Sequence, residues 1–383
     1  MIAQAALVLT EEETMLKQSA HDFFTQKMPI NTLRKLRDDN DPVGFDRERW
    51  REMAALGWAG ILIPEEYGGT AFGYRGIGQI FEESGRQLAA SPLVSTALTA
   101  APLIAVGGSA AQKDDALTAI ATGERIVALA FEEGSRHQPC RITTRAERTG
   151  AGYRLSGNKT CVLDGHVADQ LIVVARTGAA DDDPRGLTLF LVDTRCEGIT
   201  CQRTTMVDSR NAANLQFSNV EVSAQAVLGE CNAGYNLLEP VLDGARSGLA
   251  AEMLGSALEA FDRTRAYLNL RTQFGVPIGS FQALKHRAAL MFCEIELTKS
   301  AVIAALSALD ERTSDLALLA SLAKAKASET LELVSNEAVQ LHGGIGMTDA
   351  EEIGFFLKRA RVAQQLFGDA SFHRDRYAKL RGF

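Results

Sequence analysis

No CxxC pair occurs among the six cysteines of this 383-residue chain, which stand at positions 140, 161, 196, 201, 231 and 293. That excludes zinc-ribbon spacing and a small disulfide framework, and reduced thiols in the cytoplasm are expected. The six histidines supply neither an HExxH motif nor an i, i+4 pair, so no metal centre is expected. GxSxG is absent, and with it the nucleophile elbow of a hydrolase. Gly73-Tyr74-Arg75-Gly76-Ile77-Gly78 has the wrong glycine order and no preceding strand for a dinucleotide fingerprint, and reads as a helix-packing turn. Basic excess is lacking too: 40 Lys and Arg face 48 Asp and Glu, a net charge of -8 that argues against nucleic acid or an anionic membrane as partner. No apolar run approaches the roughly 18 to 20 residues of a membrane span. The short patch Ala5-Ala6-Leu7-Val8-Leu9 has no basic start and runs into Glu11-Glu12-Glu13, which is not a signal peptide.

What remains is the composition of a globular protein, 46% apolar and 23% charged, long enough for two or three structural units. Residues 1–123 are helical and alanine-rich, broken at Pro42, Pro64 and Gly68-Gly69. From about Glu124 the pattern changes to short β-branched or alternating runs at 126–131, 153–157, 170–175, 187–192 and 215–222, so a sheet or barrel is expected over 124–229, with Asp181-Asp182-Asp183-Pro184-Arg185-Gly186 as a hairpin tip. Helical spacing returns over 230–383: a run of some forty residues stopping near Phe274-Gly275-Val276-Pro277, then helices at about 281–309, 314–341 and 350–366, which form an antiparallel bundle. The fold class is α+β, in the order α, β, α.

Two C-terminal segments carry chemistry. In Arg271-Thr272-Gln273-Phe274-Gly275-Val276-Pro277-Ile278, Arg271 can clamp a pyrophosphate, Gln273 can hydrogen-bond a nucleotide and Phe274 can pack on adenine. In Gln340-Leu341-His342-Gly343-Gly344-Ile345-Gly346-Met347-Thr348, Gln340 and the Gly343-Gly344 pair let backbone approach a ligand at a helix end. Each segment alone also reads as a helix C-cap. Their order and separation favour the ligand.

With the turn Ile63-Pro64-Glu65-Glu66-Tyr67-Gly68-Gly69 and the strand Phe217-Ser218-Asn219-Val220-Glu221-Val222 leading to Val227-Leu228-Gly229, these segments make the whole chain resemble the acyl-CoA dehydrogenase family. The resemblance implies an N-terminal helical domain, a middle β-domain and a C-terminal four-helix bundle, with flavin between the last two. It implies α,β-dehydrogenation of an acyl-CoA thioester with electrons passed to FAD and on to an electron-transfer flavoprotein. Arg271, Gln273 and Phe274 would reach the FAD of a neighbouring subunit, Gln340, Gly343 and Gly344 its pyrophosphate, and Arg246 would lie near the acyl-CoA. A homodimer or homotetramer follows.

Two departures open an alternative. The family's glutamate base falls on Phe367 within Leu366-Phe367-Gly368-Asp369, and the other position used for it falls on Ala245. Neither can accept a proton. Asp369 and Asp243 are the nearest carboxylates in sequence; Asp369 is a candidate base or, if Gly368 opens a helix, its cap. On the flavin-ring side, Phe131-Glu132-Glu133-Gly134-Ser135-Arg136-His137 stands where a Thr-Glu-Pro-Gly-type loop is usual. Cys161-Val162-Leu163-Asp164-Gly165 stands where a Trp-Ile-Thr-Asn-Gly-like segment would cover the ring. The alternatives are a non-catalytic partner subunit in a heteromer with a glutamate-bearing homologue, or a side reaction on an unusual thioester.

Overall fold

The computed structural model describes Val8–Phe383, so the expectation for residues 1–7 lies outside it. Helices α1 (Glu11–Lys27), α2 (Ile30–Asp38), α3 (Arg47–Ala55) and α4 (Tyr74–Arg86) are followed by a π-helical segment, Leu93–Ala100, then α5 (Ala101–Gly107) and α6 (Ala110–Ala121). Eight strands come next: β1 (Val127–Ala130), β2 (Arg145–Arg148), β3 (Gly152–Leu163), β4 (Gln170–Arg176), β5 (Leu187–Asp193), β6 (Ile199–Thr205), β7 (Asn211–Ser223) and β8 (Val227–Leu228). The chain closes with α7 (Gly234–Leu270), the two-residue strands β9 (Thr272–Gln273) and β10 (Val276–Pro277), α8 (Gln282–Glu311), α9 (Leu316–His342), α10 (Ile353–Gln365) and α11 (Ala370–Leu380). No described helix is long and apolar enough to cross a membrane.

Local chemistry explains the boundaries. Thr10 and Glu13 form a reciprocal capping box that satisfies two orphan N–H groups of α1, and three glutamates in its first turn suit the positive end of the helix dipole. The segment 271–278, expected as a helix end, is a tight β-hairpin. Arg271 N still bonds Tyr267 O, then β9 and β10 pair in antiparallel register across Phe274 (φ 55°) and Gly275 (φ 80°). Two successive left-handed residues give the twist that a two-residue hairpin needs.

The described residues form two compact units that cut across the sequence segments. One gathers the residues up to Asp38, Tyr74–Ala89 and Arg246–Phe383; the other gathers Asp39–Gly73 and Ala90–Ala245. The first helical segment is therefore divided between them, and α7 contributes residues to both.

The second unit is built on the sheet, in the order β6-β7-β3-β2-β4-β5-β8 with β1 parallel to β4. Central β4 is buried along nearly its whole length, which its run Leu171-Ile172-Val173-Val174-Ala175 requires. The 181–186 stretch does link two antiparallel strands, β4 and β5. The pairing of β3 with β7 slips between Lys159 and Val162, where Cys161 takes φ 52°. Strands β2 and β6 escaped the sequence reading because they are short or polar: Arg-Ala-Glu-Arg and Ile-Thr-Cys-Gln-Arg-Thr-Thr bury little.

The first unit is helical, and α4 crosses α7 with backbone against backbone. A Cβ at Gly85 would sit 2.0 Å from the Glu252 carbonyl oxygen, and one at Gly255 would sit 1.8 Å from that of Glu82. Ser256 Oγ also donates to Gly85 O at 3.0 Å. Gly255→Ala should therefore force the helices apart and destabilise the fold by about 1 to 3 kcal/mol. Gly354→Ala, whose Cβ would meet nothing within 4 Å, should be neutral or slightly stabilising. Equal denaturant midpoints for the two variants would contradict this crossing.

Candidate functional site

The two C-terminal segments, some seventy residues apart in sequence, meet in the first unit. Tyr267, one turn before Arg271, stacks on His342 at 4.5 Å between centroids and 24° between planes. His342 Nδ1 donates to Ala338 O at 2.8 Å, which fixes the ring at the end of α9 beside Gly343. On the hairpin Arg271 and Gln273 are exposed, and Phe274 is 91% exposed with its ring edge-on to Phe281. Gln340 is exposed as well; its carbonyl caps Gly343 N. A Cβ at Gly275, Gly343 or Gly344 would meet nothing within 4 Å, so no crowding within this chain requires the Gly344 glycine. An exposed phenylalanine in a left-handed turn, an arginine and an open glycine turn present an aromatic face, a cation and approachable backbone on one surface. Asp349, just past this turn, is gripped by Arg34 and Arg37 of α2, which hold its carboxyl down at about 2.

The position expected for the base is also in the first unit, between α10 and α11. Phe367 is buried and takes φ 57°, followed by Gly368 at φ 104°. Arg246, wholly buried, donates from Nε to Phe367 O at 3.4 Å, and its guanidinium lies 5.7 Å from the Phe372 ring centroid. His373 Nε2 donates to the same carbonyl at 3.1 Å. Lys324, also fully buried, donates to Gly368 O at 3.0 Å, Gln364 O at 3.2 Å and Ser328 Oγ at 3.2 Å. Burial and the nearby Arg246 draw this lysine down to about 7, with Asp369 opposing. Asp369 Oδ1 accepts from Phe372 N at 2.7 Å and caps α11. The structure thus brings Arg246, Phe367 and Asp369 together, and it places Asp243 in the buried interior of α7.

Sequence reasoning missed Lys324 and His373. A signal existed for the lysine: it shares the helical face of Ala320, Ala327 and Leu331, all buried, whereas Lys326 lies off that face and pairs with Glu294.

The second unit carries the two segments expected on the ring side. Glu133 accepts from Thr143 N and Oγ1, both at 2.6 Å, from Thr144 N at 3.0 Å and from the fully buried Lys159 Nζ at 2.7 Å. Burial alone would raise the Glu133 carboxyl; Lys159 and the threonines bring it to about 2. Burial in turn draws Lys159 down to about 8 against the pull of Glu133. Glu132 pairs with His137 Nδ1 at 2.5 Å. These pairs flank a cavity of about 400 Å³ lined by Glu132, Glu133, Ser135, Arg136 and Arg141. Just past the end of β3, Asp164 takes φ 54° and accepts from Ser95 Oγ in the π-helical segment at 2.6 Å. Burial pushes its carboxyl up to about 6, with Ser95 and Arg210 opposing.

Sequence models of the acyl-CoA dehydrogenase N-terminal, middle and C-terminal domains match residues 10–124, 130–220 and 232–380. The chain belongs to the acyl-CoA dehydrogenase family. It has that family's α+β fold: a helical N-terminal region, a middle sheet and a C-terminal helical bundle. It is an oxidoreductase of a flavoprotein family that is FAD-dependent in general, and acyl-CoA dehydrogenases are among its relatives. Acyl-CoA dehydrogenase IpdE2 of Mycolicibacterium smegmatis is 30% identical over 361 residues, covering 94% of this chain and 96% of that one. Among solved structures, the Tcur3481-Tcur3483 steroid ACAD is similar at a TM-score of 0.87 and 33% identity, covering 97% of this chain and 98% of that one. The ChsE4-ChsE5 complex of Mycobacterium tuberculosis is similar at 0.89 and 25%, covering 99% of each.

The raised Asp164 carboxyl generates a pH prediction. An acid whose folded pKa exceeds its unfolded one supports folding at low pH, and that contribution is lost as pH rises from the ordinary aspartate range through about 6. Asp164→Asn keeps a residue tolerant of positive φ and cannot ionise. It should stabilise the protein by about 1 kcal/mol at pH 8 and by less at pH 5 in thermal melts. A gain that is the same at both pH values, or a loss at pH 8, would contradict the assignment.

Proposed function

We propose that this chain is the subunit without a base in a heteromeric acyl-CoA dehydrogenase. It pairs with a homologous, glutamate-bearing subunit in the cytoplasm, and the assembly removes hydrogens from Cα and Cβ of a fatty or steroid side-chain acyl-CoA. The observation that supports this reading is at position 367, where the family resemblance puts the base: the residue there is a buried phenylalanine, and the nearby carboxylate, Asp369, caps α11. Proton abstraction from Cα needs an acceptor within hydrogen-bond reach, and a phenyl ring offers none. Two similar solved structures, the Tcur3481-Tcur3483 steroid ACAD and the ChsE4-ChsE5 complex, are each named for two proteins, which agrees with a two-subunit design.

Arg271, Gln273 and Phe274, with Gln340, Gly343 and Gly344, would hold the adenine and pyrophosphate of FAD at a neighbouring subunit's site. Bound there, the flavin would accept the β-hydrogen as hydride and release its electrons to an electron-transfer flavoprotein. On the ring side this chain does not repeat the family's contacts, because the Glu133 carboxylate is already engaged by Lys159, Thr143 and Thr144. Arg246 acts from behind the Phe367 turn, where its Nε holds the carbonyl.

Flavin content tests the pairing. Purified alone, the chain should retain little FAD; co-purified with a homologous glutamate-bearing subunit, the pair should hold it. Within that pair Arg271→Ala should weaken FAD retention by about 10- to 100-fold, the loss of one charge-assisted contact, with an unchanged melting temperature. Full FAD occupancy on the chain alone, or retention indifferent to Arg271, would defeat the proposal.

Asp369→Asn separates cap from base. As a cap, its replacement should cost about 1 kcal/mol or less and leave turnover by the assembly unchanged. A fall in turnover of about 10²-fold or more would make Asp369 the base and this chain catalytic in its own right.

A further inference from the structure

The turn between α10 and α11 is held in an unusual way. Two consecutive residues adopt positive φ, Phe367 at 57° and Gly368 at 104°, and the first is a bulky residue that such a conformation disfavours. A Cβ at position 368 would stand 2.5 Å from the Phe372 ring and 3.0 Å from His373 Nε2, so only glycine fits there. The carbonyls of the turn point into the interior, and donors from three helices meet them: Arg246 of α7 and His373 of α11 on Phe367 O, Lys324 of α9 on Gly368 O. Lys324 also takes the Gln364 carbonyl at the end of α10, so one ammonium ties the last turn of that helix to the loop beyond it. Buried donors of this kind satisfy carbonyls that would otherwise be stranded, and their fixed directions choose the backbone conformation.

We propose that Lys324 is a positioning residue: with Arg246 and His373 it clamps the Phe367–Gly368 carbonyls and so fixes the direction in which the side chain at 367 points. In this chain the clamp directs a phenyl ring; the same clamp would direct a carboxylate placed at that position. The functional consequence rests on the reading of position 367 proposed above, whereas the clamp itself can be observed with neither flavin nor substrate bound.

Fluorine NMR reads the clamp in the full chain. With 4-fluorophenylalanine at position 367, the otherwise unaltered protein should give one narrow resonance. Lys324→Met removes the donors at nearly constant length; it should broaden or split that resonance, with the far-ultraviolet circular dichroism unchanged. Where methionine prevents folding, Lys324→Gln, which keeps one donor group, should give a displaced or split resonance with a minor component. A fluorine resonance of unchanged shift and width in a folded Lys324 variant, accompanied only by a lower melting temperature, would make Lys324 a structural lysine and overturn the proposal. Failure of the flavin experiments with a positive fluorine result would instead remove the subunit reading and leave the clamp standing.

Discussion

A bulky residue in a left-handed turn does not hold itself. At Phe367–Gly368 the local backbone preference runs against the observed conformation, and the fold supplies what the turn lacks: two buried cations and a buried imidazole from three helices, all donating to carbonyls within five residues of one another. Those cations must in turn be tolerated. Lys324 is accommodated by three acceptors at good distance, and nearby Arg359 is matched by the Glu252 carboxylate in a two-bond pair at 2.9 and 3.0 Å. Removing one partner from such a network leaves a buried charge or carbonyl unmatched, which is far more costly than the net worth of any single bond. The arrangement therefore fixes α7, α9, α10 and α11 against one another, and at its centre it holds position 367, where the family resemblance puts a base.

That position contains no acid, and the rest of the chain divides accordingly. The residues proposed for the nucleotide are exposed: an arginine, an aromatic ring held in the open by a type I′ hairpin, and a glycine turn with room around it. The features that would face a flavin ring are occupied by the chain's own ion pairs, Glu133 with Lys159 and Glu132 with His137. This asymmetry agrees with the proposed role of serving another subunit's cofactor.

Much of this was legible in the residue order. Hydrophobic periodicity gave the α-β-α order and the long helices because those elements are strongly patterned, and Pro and Gly marked their ends. Phe367 could be set directly against the family resemblance, since a residue's identity needs no structure. Other features were hidden for physical reasons. The hairpin at 272–277 reads in the sequence as a helix end, because a phenylalanine at positive φ contradicts local preference and reveals itself only in three dimensions. Strand β6 has an almost wholly polar sequence and is held by its partner β7, not by burial. The clamp joins residues up to about 120 positions apart; helical spacing can mark Lys324 as the inward lysine of Ala-Lys-Ala-Lys-Ala, but no local pattern tells which carbonyls it meets.

The central claim is that the proton acceptor lies on another subunit. The most direct test is substrate-dependent loss of visible flavin absorbance, under anaerobic conditions, by the reconstituted heteromer in which the partner's glutamate base is replaced by glutamine and this chain is left unaltered. The account predicts bound flavin that no acyl-CoA bleaches. Bleaching at an undiminished rate would show that this chain supplies the base itself and would contradict the account.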